Sequence, residues 1–72
     1  MGPDGLEYLA RAYGSQREDG TWAGWIEFAT EDGNRTLRTE VETTQPNRQA
    51  VAYWAGGIEP IYLEGAFLRA SR

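Results

Sequence analysis

The sequence predicts an α+β fold, a two-layer domain in which a three-stranded antiparallel meander is followed by one helix and then a fourth strand (β-β-β-α-β). Three observations predict it. Apolar residues alternate with a period of two through the first half, and Asp19-Gly20 and Asp32-Gly33 punctuate the alternation as hairpin turns do. Asn47 and Gly56-Gly57 bracket a stripe of helical spacing. A short apolar run then follows Pro60.

Residues 6–13 alternate, with Leu6, Tyr8, Ala10 and Ala12 on one face and Glu7, Leu9, Arg11 and Tyr13 on the other. The run also has good helix propensity. Strand is preferred, because the next two strands need a partner. Residues 14–21 form a polar connection. Residues 22–29 are the clearest strand, with Trp22, Gly24, Ile26 and Phe28 on one face and Ala23, Trp25, Glu27 and Ala29 on the other. Residues 31–34, Glu-Asp-Gly-Asn, form a second turn of the same chemistry. Residues 36–44 read as one continuous third strand, Leu37, Thr39, Val41 and Thr43 alternating with Arg38, Glu40 and Glu42.

Pro46 and Asn47 mark a helix start, with Asn47 as the N-cap. Val51, Trp54, Ala55 and Ile58 recur at i, i+3, i+4 and i+7 and make the buried stripe. Gly56-Gly57 should stop the helix through a left-handed residue. Residues 60–63 read as the fourth strand. Residues 64–72 fit helix and strand spacing equally, so a short C-terminal helix remains an alternative. Residues 1–5 are polar, with Gly and Pro, and read as a flexible tail; residues 6–72 form the single domain.

Composition excludes much chemistry. The 72 residues contain no Cys, His or Lys, and eleven carboxylates outweigh seven Arg for a net charge of -4. A disulfide framework, thiolate or imidazole metal sites, a Ser-His pair and Schiff-base chemistry are all removed. The expectation is a non-enzymatic protein with no cofactor and no metal. Acidic charge disfavours nucleic acid, whose affinity for proteins rests on a basic surface. No stretch reads as a signal peptide or membrane span, which leads to an expected cytoplasmic location. A core this small also gains from association.

Three groups of residues could do more than fold. Glu27, Glu40, Glu42 and Glu64 could share a sheet face and perform acid-base work or hold Mg²⁺ or Ca²⁺. The plainer reading, and the preferred one, is a solvated face with Arg11 and Arg38 as cross-strand partners. Thr43, Thr44, Gln45, Asn47 and Arg48 crowd the helix entry, where an anion can be received; the plainer reading, and the preferred one, is capping of the first turn, although that needs only one or two of them. Trp25, with Tyr13 and Tyr62 and with Leu9 nearby, forms an aromatic set on the face away from the helix. Such a set suggests an interface with a protein partner or a second copy; cover of Trp25 by a terminal helix or by Arg stems is the equal alternative.

The element order, in so short a chain, resembles the HicB-type antitoxin fold, which implies a toxin-neutralising role toward an RNase partner. The pattern of Glu42-Thr-Thr-Gln-Pro-Asn-Arg48, Tyr53-Trp-Ala55 and Tyr62-Leu-Glu-Gly-Ala66, with Gly24-Trp-Ile-Glu-Phe28, is similar to small uncharacterised bacterial proteins. That similarity implies a stand-alone bacterial domain and no activity. The leading expectation is therefore a small interaction module. A HicB-like regulator and a carboxylate- or metal-dependent hydrolase are the alternatives.

Overall fold

The computed structural model describes residues 7–71. An antiparallel sheet carries two helices on one face. Its strands are β1 (Tyr8–Gln16), β2 (Trp22–Thr30), β3 (Thr36–Arg38) and β4 (Thr43–Gln45), followed by α1 (Arg48–Gly56) and α2 (Pro60–Ala70). The expected α+β class is found, with the order β-β-β-β-α-α. The tail expected over residues 1–5, together with Leu6, lies outside the described residues.

β2 is the central strand. All nine residues of β1 pair with it without a bulge, from Tyr8 opposite Thr30 to Gln16 opposite Trp22. Asp19 closes the first turn by accepting from the Thr21 N–H at 2.9 Å and the Thr21 hydroxyl at 2.6 Å. Asp32 accepts from the Asn34 N–H at 3.0 Å and the Thr30 hydroxyl at 2.7 Å in the second. Gly20 and Gly33 take the positive φ values that such turns require, +89° and +75°.

The expected third strand over residues 36–44 is broken in two. β3 pairs with β2 through Arg38 opposite Glu27, and β4 through Thr43 opposite Gly24. Two residues of β2 separate these pairs, against four on the outer strand. The slack is a bulge over residues 39–42, of the kind that bends a strand and re-aims its side chains. Thr39 anchors it. Its N–H donates to the Ile26 carbonyl at 2.9 Å, and its buried hydroxyl oxygen accepts from the Ile26 N–H at 3.1 Å. A side chain thus completes a ladder position that the bent backbone cannot.

Asn47 caps α1 as expected, its Oδ1 accepting from the Ala50 N–H at 2.8 Å. The end differs. Gly57 has φ -96°, so a tight turn closes the helix instead of a left-handed residue, with the Gly57 N–H bonded to the Trp54 carbonyl. Residues 60–63, expected as a fourth strand, begin α2. Pro60 at the first helical turn fixes φ where its missing N–H costs nothing. Leu63, Ala66, Phe67 and Ala70, at helical spacing, all pack on the core. That spacing resolves residues 64–70 as helix. It also removes the strand after α1 on which the HicB-like order rested.

Ile26 and Phe28 project from β2 into this layer and meet Ala66, which is wholly buried. Phe67 stands edge-on to Phe28 at 5.0 Å and to Tyr8 at 4.9 Å between ring centres. Ala66 has no side chain beyond Cβ, so α2 can approach the sheet closely. The core is thin. Among the described residues only Ala23, Ile26, Phe28, Val51 and Ala66 are buried hydrophobics, while seven large ones are exposed. No helix among the described residues is long and apolar enough to cross a membrane.

Candidate interaction surface

Directly opposed residues of an antiparallel pair share a face. The register therefore places Leu9, Arg11, Tyr13, Trp25, Glu27 and Arg38 on the sheet face away from Ile26, Phe28 and both helices. Trp25 is the centre of this face. Tyr13, directly opposite it on β1, stacks on it with ring centres 6.1 Å apart and planes 18° from parallel. From the β3 side the Arg38 guanidinium lies 4.5 Å from the Trp25 ring centre. Trp25 Nε1 donates to Glu27 Oε2 at 3.1 Å, and Arg38 Nε lies 4.0 Å from the same oxygen. Tyr13, Arg38 and Glu27 each contact Trp25, so the four side chains form one connected set. Tyr13 remains 40% exposed and Leu9 60%.

Tyr62 does not join them. It stands on α2, in the helix layer, and its hydroxyl donates to Glu42 Oε1 at 2.6 Å. The Arg69 guanidinium donates to the same oxygen, and Glu42 is only 10% exposed. The bulge over residues 39–42 is what delivers Glu42 there. Partial burial, then the hydrogen bond to Glu42 and its charge, push the Tyr62 hydroxyl above its ordinary range. Arg69 acts in the opposite sense.

The carboxylate group is dispersed by the same bend. Glu27 is engaged by Trp25 and Arg38, and Glu42 by Tyr62 and Arg69. Glu40 lines a groove of about 490 Å³ with Arg38, Val41, Glu42 and Arg69, so two guanidinium groups stand among its carboxylates. Among the described residues, no three acidic side chains gather in a way that could hold a metal ion.

At the helix entry, three of the five residues have structural partners. Asn47 caps α1. Gln45 Nε2 donates to Thr43 Oγ1 at 2.6 Å, both half-buried at the end of β4. Thr44 and Arg48 are exposed, and Thr44, opposite Ala23, faces the same side as Trp25. The entry is thus a cap and a strand end with two solvent-facing side chains.

Arg38 is the residue that sequence reasoning under-read. By name it reads in the sequence as a partner for a carboxylate, and cover of Trp25 by an Arg stem is open there without a particular Arg; Arg38 is the one that covers the indole. Its signal is the cross-strand pairing of Arg38 with Glu27, which becomes visible once the turn at Gly33 fixes the register. Compared with known proteins, the chain matches no family model, no curated protein and no solved structure.

Proposed function

We propose that this chain is a small, non-enzymatic cytoplasmic interaction module that binds a protein partner through the sheet face around Trp25. The observation that carries the reading is the set of Tyr13, Trp25 and Arg38, in mutual contact on a face that neither helix covers. Aromatic residues and Arg are the side chains that dominate protein–protein contacts, because they bury large area at low entropic cost. Leu9 and Ala29, paired beside them, lengthen the apolar part of the face. Glu27 and Arg38 supply opposite charges for orientation. The acidic balance of the chain supports a protein partner over nucleic acid.

The test is Trp25→Ala in the full chain, beside Thr44→Ala as a substitution on the same side of the sheet but away from the aromatic set. The partner is recovered by cross-linking in native extract. Loss of the cross-linked species with Trp25→Ala alone, with the circular dichroism spectrum kept, is the expected result. A folded Trp25→Ala protein that still forms the species removes the proposal.

A further inference from the structure

The two long sides of the sheet are built differently. The β3–β4 side is interrupted by the bulge over residues 39–42 and offers only three-residue strands. The other side is β1, nine residues long, exposed along nearly its whole length, with no bulge and no Pro. Natural edge strands are usually shortened, bulged or charged to prevent pairing. β1 has none of the first two protections and a single charge, Arg11.

The register also shows which backbone groups face outward. The Arg17 N–H donates to the Thr21 carbonyl just beyond the strand ends. Hydrogen-bonded positions alternate along an antiparallel pair. The odd-numbered residues of β1 therefore bond to β2, and Ala10, Ala12 and Gly14 direct both N–H and C=O away from the sheet. Among the described residues no strand pairs with them.

We infer that β1 pairs antiparallel with β1 of a second copy of this chain, about a twofold axis at Ala12. This edge borders the Trp25 face and shares Leu9, Arg11 and Tyr13 with it, but the inference does not depend on that face binding anything. With Ala12 on the axis, Ala12 meets its own copy and Ala10 meets Gly14, each as a hydrogen-bonded pair. Those residues carry little or no side chain on the helix-side face, so their own side chains do not obstruct the approach. On the other face Leu9 comes opposite Ser15, and Arg11 opposite Tyr13. The twofold thus sets each Arg11 against an aromatic ring and not against the other Arg11. Arg11 is available for this, since it has no ion pair or hydrogen bond among the described residues. A chain of net charge -4 meets itself along a strand that carries no acidic residue. The self-complementary register, with Ala12 on Ala12, Ala10 on Gly14 and Arg11 on Tyr13, is what selects a second copy as the added strand. The result is one continuous sheet of two copies, which relieves a thin core of its longest open edge.

Nine residues at about 3.4 Å each give an edge of roughly 30 Å, well short of the ~800 Å² per partner of a standard interface. The dimer is therefore a concentration-dependent one. Light scattering on the full chain should show the mass rising from 8.1 kDa toward twice that value between about 10 µM and 1 mM. Ala12→Pro removes the outward N–H at the axis and leaves the β1–β2 ladder intact, and should weaken association at least about tenfold. A cysteine pair tests the register without relying on that variant's folding, because the natural chain has no Cys. Leu9→Cys and Ser15→Cys proteins, mixed and oxidised, should form the mixed disulfide, since residues 9 and 15 face each other across the axis. Neither protein should cross-link to itself. A chain that stays at 8.1 kDa at 1 mM and gives no mixed disulfide overturns the inference. So do disulfides that form without regard to position, and so does an association abolished by Trp25→Ala but untouched by Ala12→Pro.

Discussion

Thr39→Val isolates the interaction that lets the outer strand bend. Valine keeps the shape of threonine but cannot accept a hydrogen bond. In the folded protein Thr39 is 4% exposed, and its hydroxyl oxygen is the acceptor for the Ile26 N–H at 3.1 Å, beside an Ile26 side chain that is 1% exposed. The substitution leaves that N–H buried without its partner. An unsatisfied buried donor costs about 1–3 kcal/mol. In a domain of this size each kcal/mol moves Tm by about 4–8 °C, so the expected loss is roughly 5–20 °C. Thr39→Ser is the control. It keeps the acceptor and loses one methyl, at about 0.8 kcal/mol. Urea denaturation of the three proteins, followed by Trp fluorescence, gives the ordering wild type, then Ser, then Val. A Val loss below about 0.5 kcal/mol would refute the reasoning. It would mean that the Thr39 carbonyl swings back to accept from Ile26, as an unbulged ladder would have it.

Three more outcomes can be checked with the same assay. Gly24→Ala should cost about 1–3 kcal/mol, because a Cβ there would lie 2.9 Å from both Thr43 Cγ2 and the Trp54 ring; an unchanged midpoint would show that Trp54 has room to move. Asn47→Ala should cost about 1 kcal/mol through the lost cap, while exposed Arg48→Ala should stay within about 0.5 kcal/mol. Tyr62 carries an alkaline dependence. Its folded pKa is raised, so its contribution is full below the ordinary value near 10 and is lost as pH rises through the higher folded value. Tyr62→Phe should flatten the fall in stability above pH 10 relative to wild type; an identical pH profile would show that the Glu42 contact is not felt.

Much of the architecture was legible in local chemistry. The turns at Asp19-Gly20 and Asp32-Gly33 were readable because Asp and Gly each do something there that few other residues can. The central strand was readable from strict alternation, and α1 from Asn47 and its four-residue stripe. The errors arose where local signals are degenerate. Ile61-Tyr62-Leu63 after a proline suits a strand or a first helical turn, and only packing of Ala66 and Phe67 against Ile26 and Phe28 decides for helix. Residues 36–44 alternate as one strand should, and no local pattern announces that Thr39 will bond through its side chain. Tyr62 was grouped with Trp25 for the same reason: its assignment to a strand put it on the wrong layer.

Sequence by itself determined the α+β class, the two hairpin turns, the helix start at Asn47 and the opposed faces of β2, since each depends on neighbours a few residues away. The exclusion of cysteine, histidine and lysine chemistry followed from composition alone. Tertiary structure decided that α2 is helical, that the outer strand breaks at Thr39, that Arg38 rests on Trp25, and that Glu42 turns toward Tyr62 and Arg69. Each of these rests on contacts between residues distant in the chain. Their free energy comes from burial and pairing that no local window contains.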